Sequence, residues 1–247
     1  MKEPISRFLE RKGIQVLFED DQILVLNKPA PYLVLPDRFD EHLPCLYSLL
    51  NDLYGKIYVV HRLENETTGV ILFAKNPEAH ANLSEQFTLH TVRKSYHAII
   101  VGTLGSPNGP IDLPVSEGRK GKMRVEYGSG KNTETEYTVL EGFQGFAFIE
   151  VTPKTGRTQQ IHIHLSALGT PILCDMEYGG GEAFYLSSIK LNFKLSDEEE
   201  HPMIKRTALH AVSLTVTHPS TGEQHTFSAP LPKDMATTLK YLRKFRG

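Results

Sequence analysis

The 247-residue sequence predicts an α+β fold built on a mostly antiparallel or mixed sheet. Three observations carry that expectation. Apolar strand-like runs outnumber amphipathic helical ones, many of the runs are joined by short polar turns, and helices are inserted at intervals. With 40% hydrophobic and 23% charged residues, the composition is that of an ordinary globular chain. The length suits one large domain over residues 1–247, or one domain with a small appendage.

Residues 16–19 and 22–27 are apolar runs split by the turn pair Asp20-Asp21, which makes them a hairpin. After Lys28-Pro29 comes a proline-punctuated loop, then residues 42–54. There Leu43, Leu46, Leu49, Leu50 and Leu53 recur at helical spacing and stop before Gly55. A strand follows at 57–60. The stretch 61–69 is dense in Asn, Glu and Thr and precedes a second apolar strand at 70–74; a polar loop between buried strands suits chemistry. Asn76 then Pro77 reads as an N-cap and a first-turn proline, opening a helix to about residue 90. The strand at 95–101 closes at Gly102.

Residues 105–130, rich in Gly, Pro and charge, read as loops with short strands and carry Arg119, Lys120, Lys122 and Arg124. Residues 135–140 and 147–152 form an antiparallel pair across 141–145. Residues 158–168 alternate like a strand at Ile161 to His164, yet Ile161, Leu165 and Leu168 keep helical spacing. Thr158 as cap, Gly169 as stop and Pro171 beyond it select helix. A final hairpin joins 209–217 to 225–228, and 233–245 is a basic amphipathic helix. The acidic run 197–200 reads as a solvated loop.

Several function classes are excluded. Two distant cysteines, Cys45 and Cys174, support neither a disulfide framework nor a thiolate zinc site, and they fit the cytoplasm. No stretch approaches the ~18 apolar residues of a membrane helix. His162 and His164 imitate a chelating pair, but on a helix they sit roughly 200° apart. Glu64 and Glu66, two apart in a loop, lack the fixed separation a glycosidase requires. A net charge of −2 means that any nucleic-acid surface is local.

One motif is specific. His61-Arg62-Leu63-Glu64-Asn65-Glu66-Thr67-Thr68-Gly69 resembles the H-R-L-D-x-x-T-S/T-G hallmark of the RluA family of RNA pseudouridine synthases. Four further blocks follow the family's pattern: Asn27-Lys28-Pro29; Lys94-Ser95-Tyr96; Thr155 to His162 leading to Gly169 to Asp175; and Leu209-His210-Ala211 with Pro230-Leu231-Pro232. The resemblance covers nearly the whole chain. It implies the pseudouridine synthase fold, a long mixed and mostly antiparallel sheet with flanking helices and a central cleft, without the small N-terminal RNA-binding domain of some members.

The resemblance further implies a cofactor-free isomerisation of uridine in rRNA or tRNA; no metal and a cytoplasmic monomer are the accompanying expectations. A target base must leave its stack, which costs a few kcal/mol and calls for a stacking face. Tyr96 matches the family's pocket tyrosine, and Arg62 matches the cation beside the vacated position. His61, Lys94 and Arg157 are the other RNA-contact candidates. The catalytic carboxylate, an aspartate in the family pattern, is Glu64 here. The arginine that pairs with it is His162, and Gln159 replaces the motif's histidine. A methylene displaces the carboxylate by roughly an ångström, a shift that can cost on the order of 100-fold. An imidazole, with an ordinary pKa near ~6.5, is not a fixed cation. The alternative is an RNA-binding or RNA-chaperone protein that kept the fold and lost the chemistry. Further phosphate-binding candidates are Arg93, the 119–124 cluster, Lys131, Lys240, Arg243, Lys244 and Arg246.

Overall fold

The computed structural model describes residues 4–38, 40, 42–118, 122–193 and 199–247. In chain order the elements are α1 (Ile5–Arg11), β1 (Gln15–Glu19), β2 (Ile23–Lys28), α2 (Leu46–Tyr54), β3 (Tyr58–Val59), β4 (Thr68–Ala74), α3 (Pro77–Thr88) and β5 (Arg93–Val101). They continue through β6 (Asn108–Asp112), β7 (Val115–Glu117), β8 (Met123–Val125), β9 (Glu134–Phe143), β10 (Phe146–Pro153), α4 (Gln160–Ala167), β11 (Leu209–Thr217), β12 (Gln224–Ser228) and α5 (Lys233–Phe245). The fold is α+β with a mixed sheet, as the strand-rich pattern predicts.

The chain divides into two compact units, each assembled from separated segments: Met1–Lys94 with His210–Pro230, and Ser95–Leu209 with Leu231–Gly247. In the first, β2 pairs antiparallel with β1 and with β4, and β4 runs parallel to β11 through His210 opposite Thr68 and Ala211 opposite Gly69. β12 and β3 extend β11 and β4. All seven residues of β4 are buried, as expected of a central strand covered on both faces. Ile23, Val25, Val70 and Leu72 pack with Leu83, Leu214 and Phe227 to form this core. In the second unit, β5, β10, β9 and β6 form an antiparallel ladder, and α4 and α5 bury Ile161, Leu165, Met235, Leu239 and Leu242 with Ile99, Ile149 and Val151.

Several boundaries differ from the expectation. The helix assigned to 42–54 begins only at Leu46, because Pro44 disfavours helical geometry at Leu43, which is left 40% exposed. Backbone bonds from Leu33 N to Pro44 O and from Leu46 N to Leu33 O hold that stretch extended. The helix expected to reach 90 ends at Thr88, and His90 takes a left-handed φ of 56°. Asn76 does cap it, accepting from Ala79 N at 2.8 Å. Thr158 does not cap α4: Gln159 precedes it with φ 52°, and no side-chain cap forms. The strand expected at 57–60 is reduced to Tyr58–Val59. Of the 119–124 cluster only Lys122 and Arg124 among the cations, and of the acidic run only Glu199 and Glu200, lie within the described residues.

Candidate active site

The polar loop after β3 is held from below by a buried lysine. Lys28 ends β2 opposite Gly69 and is 0% exposed. Its ammonium donates to Tyr32 O at 2.7 Å, Asn65 O at 2.9 Å and Pro29 O at 3.3 Å. A buried cation needs such partners, and these carbonyl dipoles are among those that supply them. The Asn-Lys-Pro block thus ties two segments of backbone to one point, one of them adjacent to Glu64.

Other parts of the hallmark are anchored in the same unit. Thr68 Oγ1 lies 2.8 Å from His210 Nδ1, while His210 Nε2 lies 3.3 Å from Ala229 O. A carbonyl only accepts, so Nε2 carries the proton and Nδ1 accepts from the Thr68 hydroxyl. Gly69 has φ 112°, and a Cβ there would stand 2.2 Å from Ala211 O, so the parallel contact of β4 with β11 requires glycine. Thr67 N donates to Glu64 O at 3.2 Å, closing a turn that leaves Glu64 exposed. Asn65 Oδ1, next in sequence, is buried without a hydrogen-bond partner among the described residues.

His61 has a structural task. Its Nε2 accepts from Leu72 N at 3.0 Å, and its ring stacks on Phe87 at 4.8 Å and 19°. Burial pushes its pKa down to about 3, and the Lys94 ammonium acts in the same direction. A neutral ring with Nε2 committed to backbone offers no charge to a phosphate. Burial likewise lowers the pKa of Lys94. Arg62 is exposed, and its side chain has no partner among the described residues.

The remaining candidates belong to the second unit. Tyr96 stands half-buried on β5 opposite Val151. Arg157 is exposed, with its guanidinium unpaired among the described residues. Gln160, which the sequence reading passed over, organises the start of α4. It is 3% exposed, its Oε1 accepts from Arg157 N at 3.1 Å and Thr155 Oγ1 at 2.8 Å, and its Nε2 donates to Glu134 O and Thr135 Oγ1, both at 2.9 Å. The only signal for this role was its place in the Thr-Gly-Arg block. His162 and His164 diverge on α4. His162 Nδ1 meets Asp175 Oδ2 at 2.8 Å, whereas His164 Nε2 meets Thr133 Oγ1 at 2.8 Å and Leu113 O at 3.3 Å.

An RNA pseudouridylate synthase family model matches residues 22–167. The chain is 32% identical to RNA pseudouridine synthase 2, chloroplastic, of Arabidopsis thaliana, over 98% of this chain and 68% of that protein. It is 36% identical to the dual-specificity RNA pseudouridine synthase RluA of Escherichia coli K12, over 87% and 92%. Human RNA pseudouridylate synthase domain containing 4 superposes with a TM-score of 0.71 at 27% identity, covering 97% of this chain and 95% of that one. Matches this extensive, on a chain whose five motif blocks lie in order, establish that it belongs to the RluA family of RNA pseudouridine synthases, isomerases that act on RNA.

Proposed function

We propose that this enzyme converts a specific uridine of structured rRNA or tRNA into pseudouridine, with Glu64 as the catalytic carboxylate. The observation that carries the proposal is the exposed Glu64 on a loop whose next carbonyl is fixed by the buried Lys28. A carboxylate on an anchored turn is positioned for reaction without itself being buried. In the isomerisation the N1–C1′ bond breaks, the base turns, and a C5–C1′ bond forms. The proton on C5 leaves and N1 takes one up, so nothing is gained or lost overall. Glu64 would attack or deprotonate the ribose. Tyr96 would stack on the extruded base, and Arg62, Lys94 and Arg157 would hold phosphates. His162 would supply the charge that the motif's arginine carries.

The test is incubation of the protein with unmodified rRNA and tRNA transcripts, followed by mapping of pseudouridine. A discrete site that depends on the protein is expected, and the absence of any such site in both RNA pools would overturn the proposal. The second reading, an RNA-binding protein without chemistry, is favoured by the paired departures at Glu64 and His162. It requires that Glu64→Ala leave RNA binding and every cellular phenotype unchanged.

A further inference from the structure

We propose that Asp175 is a positioning residue that orients the His162 imidazole and holds it in its charged form, replacing the permanent charge an arginine would bring to that position. The inference rests on the reading of His162 given above, and it concerns a contact made wholly within the second unit.

The two side chains are enclosed, with Asp175 3% and His162 5% exposed, and Asp175 Oδ2 lies 2.8 Å from His162 Nδ1. A carboxylate only accepts, so Nδ1 is protonated. This sets the tautomer and turns Nε2 to the opposite side of the ring, and the adjacent negative charge favours imidazolium. The carboxylate cannot swing away. Its other oxygen accepts from Tyr178 N at 3.2 Å, Asp175 N donates to Ile172 O at 3.1 Å, and Gly180 N donates to Asp175 O at 2.7 Å. A Cβ on Gly180 would fall 1.7 Å from Ile172 O, so the turn that presents Asp175 closes only around glycine. Cys174, one residue earlier, holds a left-handed φ of 61°. Strain of this kind persists where the surroundings over-determine the backbone.

Other described groups also stand near the ring. The Tyr178 ring lies 5.9 Å from that of His162 and hydrogen-bonds through its hydroxyl to Gln159 Oε1 at 2.7 Å. Lys122 sits 4.9 Å from the Tyr178 centroid and would oppose a charge on His162. Glu177 accepts from Gln159 Nε2 at 2.9 Å, and His164 is engaged by Thr133. Among these described groups, Asp175 makes the 2.8 Å contact to Nδ1.

The experiment follows the His162 ring by nitrogen-15 NMR across pH in wild type and Asp175→Asn, alongside the pH profile of kcat/KM on unmodified rRNA and tRNA transcripts. In wild type Nδ1 carries the proton in the neutral form. In Asp175→Asn the titration midpoint falls, the alkaline limb of activity moves to lower pH with it, and activity above that limb drops on the order of 100-fold. His162→Arg, with a fixed cation, loses the alkaline limb of its kcat/KM profile at whatever absolute rate it turns over. A His162 titration unchanged by Asp175→Asn, or a limb that stays in place in His162→Arg, overturns the assignment. The ring titration is read on free protein, so it decides this point even if no transcript is modified and the catalytic reading fails.

Discussion

The Lys28 ammonium donates a 2.9 Å hydrogen bond to the carbonyl of Asn65, joining the end of β2 to the residue after Glu64. Replacing Lys28 by Met keeps the volume and strands the carbonyls of Tyr32 and Asn65. Stability in urea is expected to fall by about 3 kcal/mol or more, since each buried acceptor loses a charged donor. Activity is expected to fall further than folding explains, on the order of 100-fold, because the Glu64 turn loses its anchor. Wild-type kcat in a folded Lys28→Met protein would refute this.

Gly69→Ala tests the close passage of β4 and β11. The new methyl would meet Ala211 O at 2.2 Å on a backbone of φ 112°, so one strand must shift. A loss of about 3 kcal/mol or more is expected in chemical denaturation. A loss under 1 kcal/mol would show that the strands separate more easily than their pairing suggests.

His61 makes stability depend on pH. Its folded pKa, near 3, lies below the unfolded value, so the unfolded chain binds more protons between the two. The contribution is complete above about pH 6.5 and is lost as pH falls toward 3. Between pH 6.5 and 4 this contributes about 3 kcal/mol of destabilisation. His61→Gln, whose carbonyl can accept from Leu72 N, should flatten that part of the stability profile. An identical acid slope in both proteins would count against the assignment.

Arg62 and Arg157 are exposed and unpaired among the described residues, so their charges are available to phosphate. Each Ala substitution should weaken RNA binding and reduce the slope of log K against log salt by about one. Stability should be unaffected. An unchanged salt slope in both variants would remove them from the RNA interface.

Local chemistry made much of the fold legible. Asn76-Pro77 marked the start of α3, and the spacing of apolar residues in α5 gave bounds that the structure reproduces, Lys233–Phe245. What escaped was set by contacts distant in sequence. The leucine spacing before α2 said nothing of Leu33, whose backbone bonds hold the Pro44 stretch extended. Gln160, read as one more helical residue, owes its role to β9 and the preceding loop. The bond that His61 Nε2 accepts is likewise invisible in its neighbours, because the amide of Leu72 lies eleven residues on. Lys28 stood out as part of a motif, but only folding shows that its charge is satisfied by backbone carbonyls.

The most direct test of Glu64 as the reacting carboxylate is release of tritium from C5 of uridine in labelled rRNA and tRNA transcripts, under single-turnover conditions, by wild type and Glu64→Gln. Glutamine keeps the shape and removes the charge. The wild type should release tritium, and Glu64→Gln should bind the same RNA and release none. Equal release by the two proteins would contradict the assignment of the chemistry to Glu64.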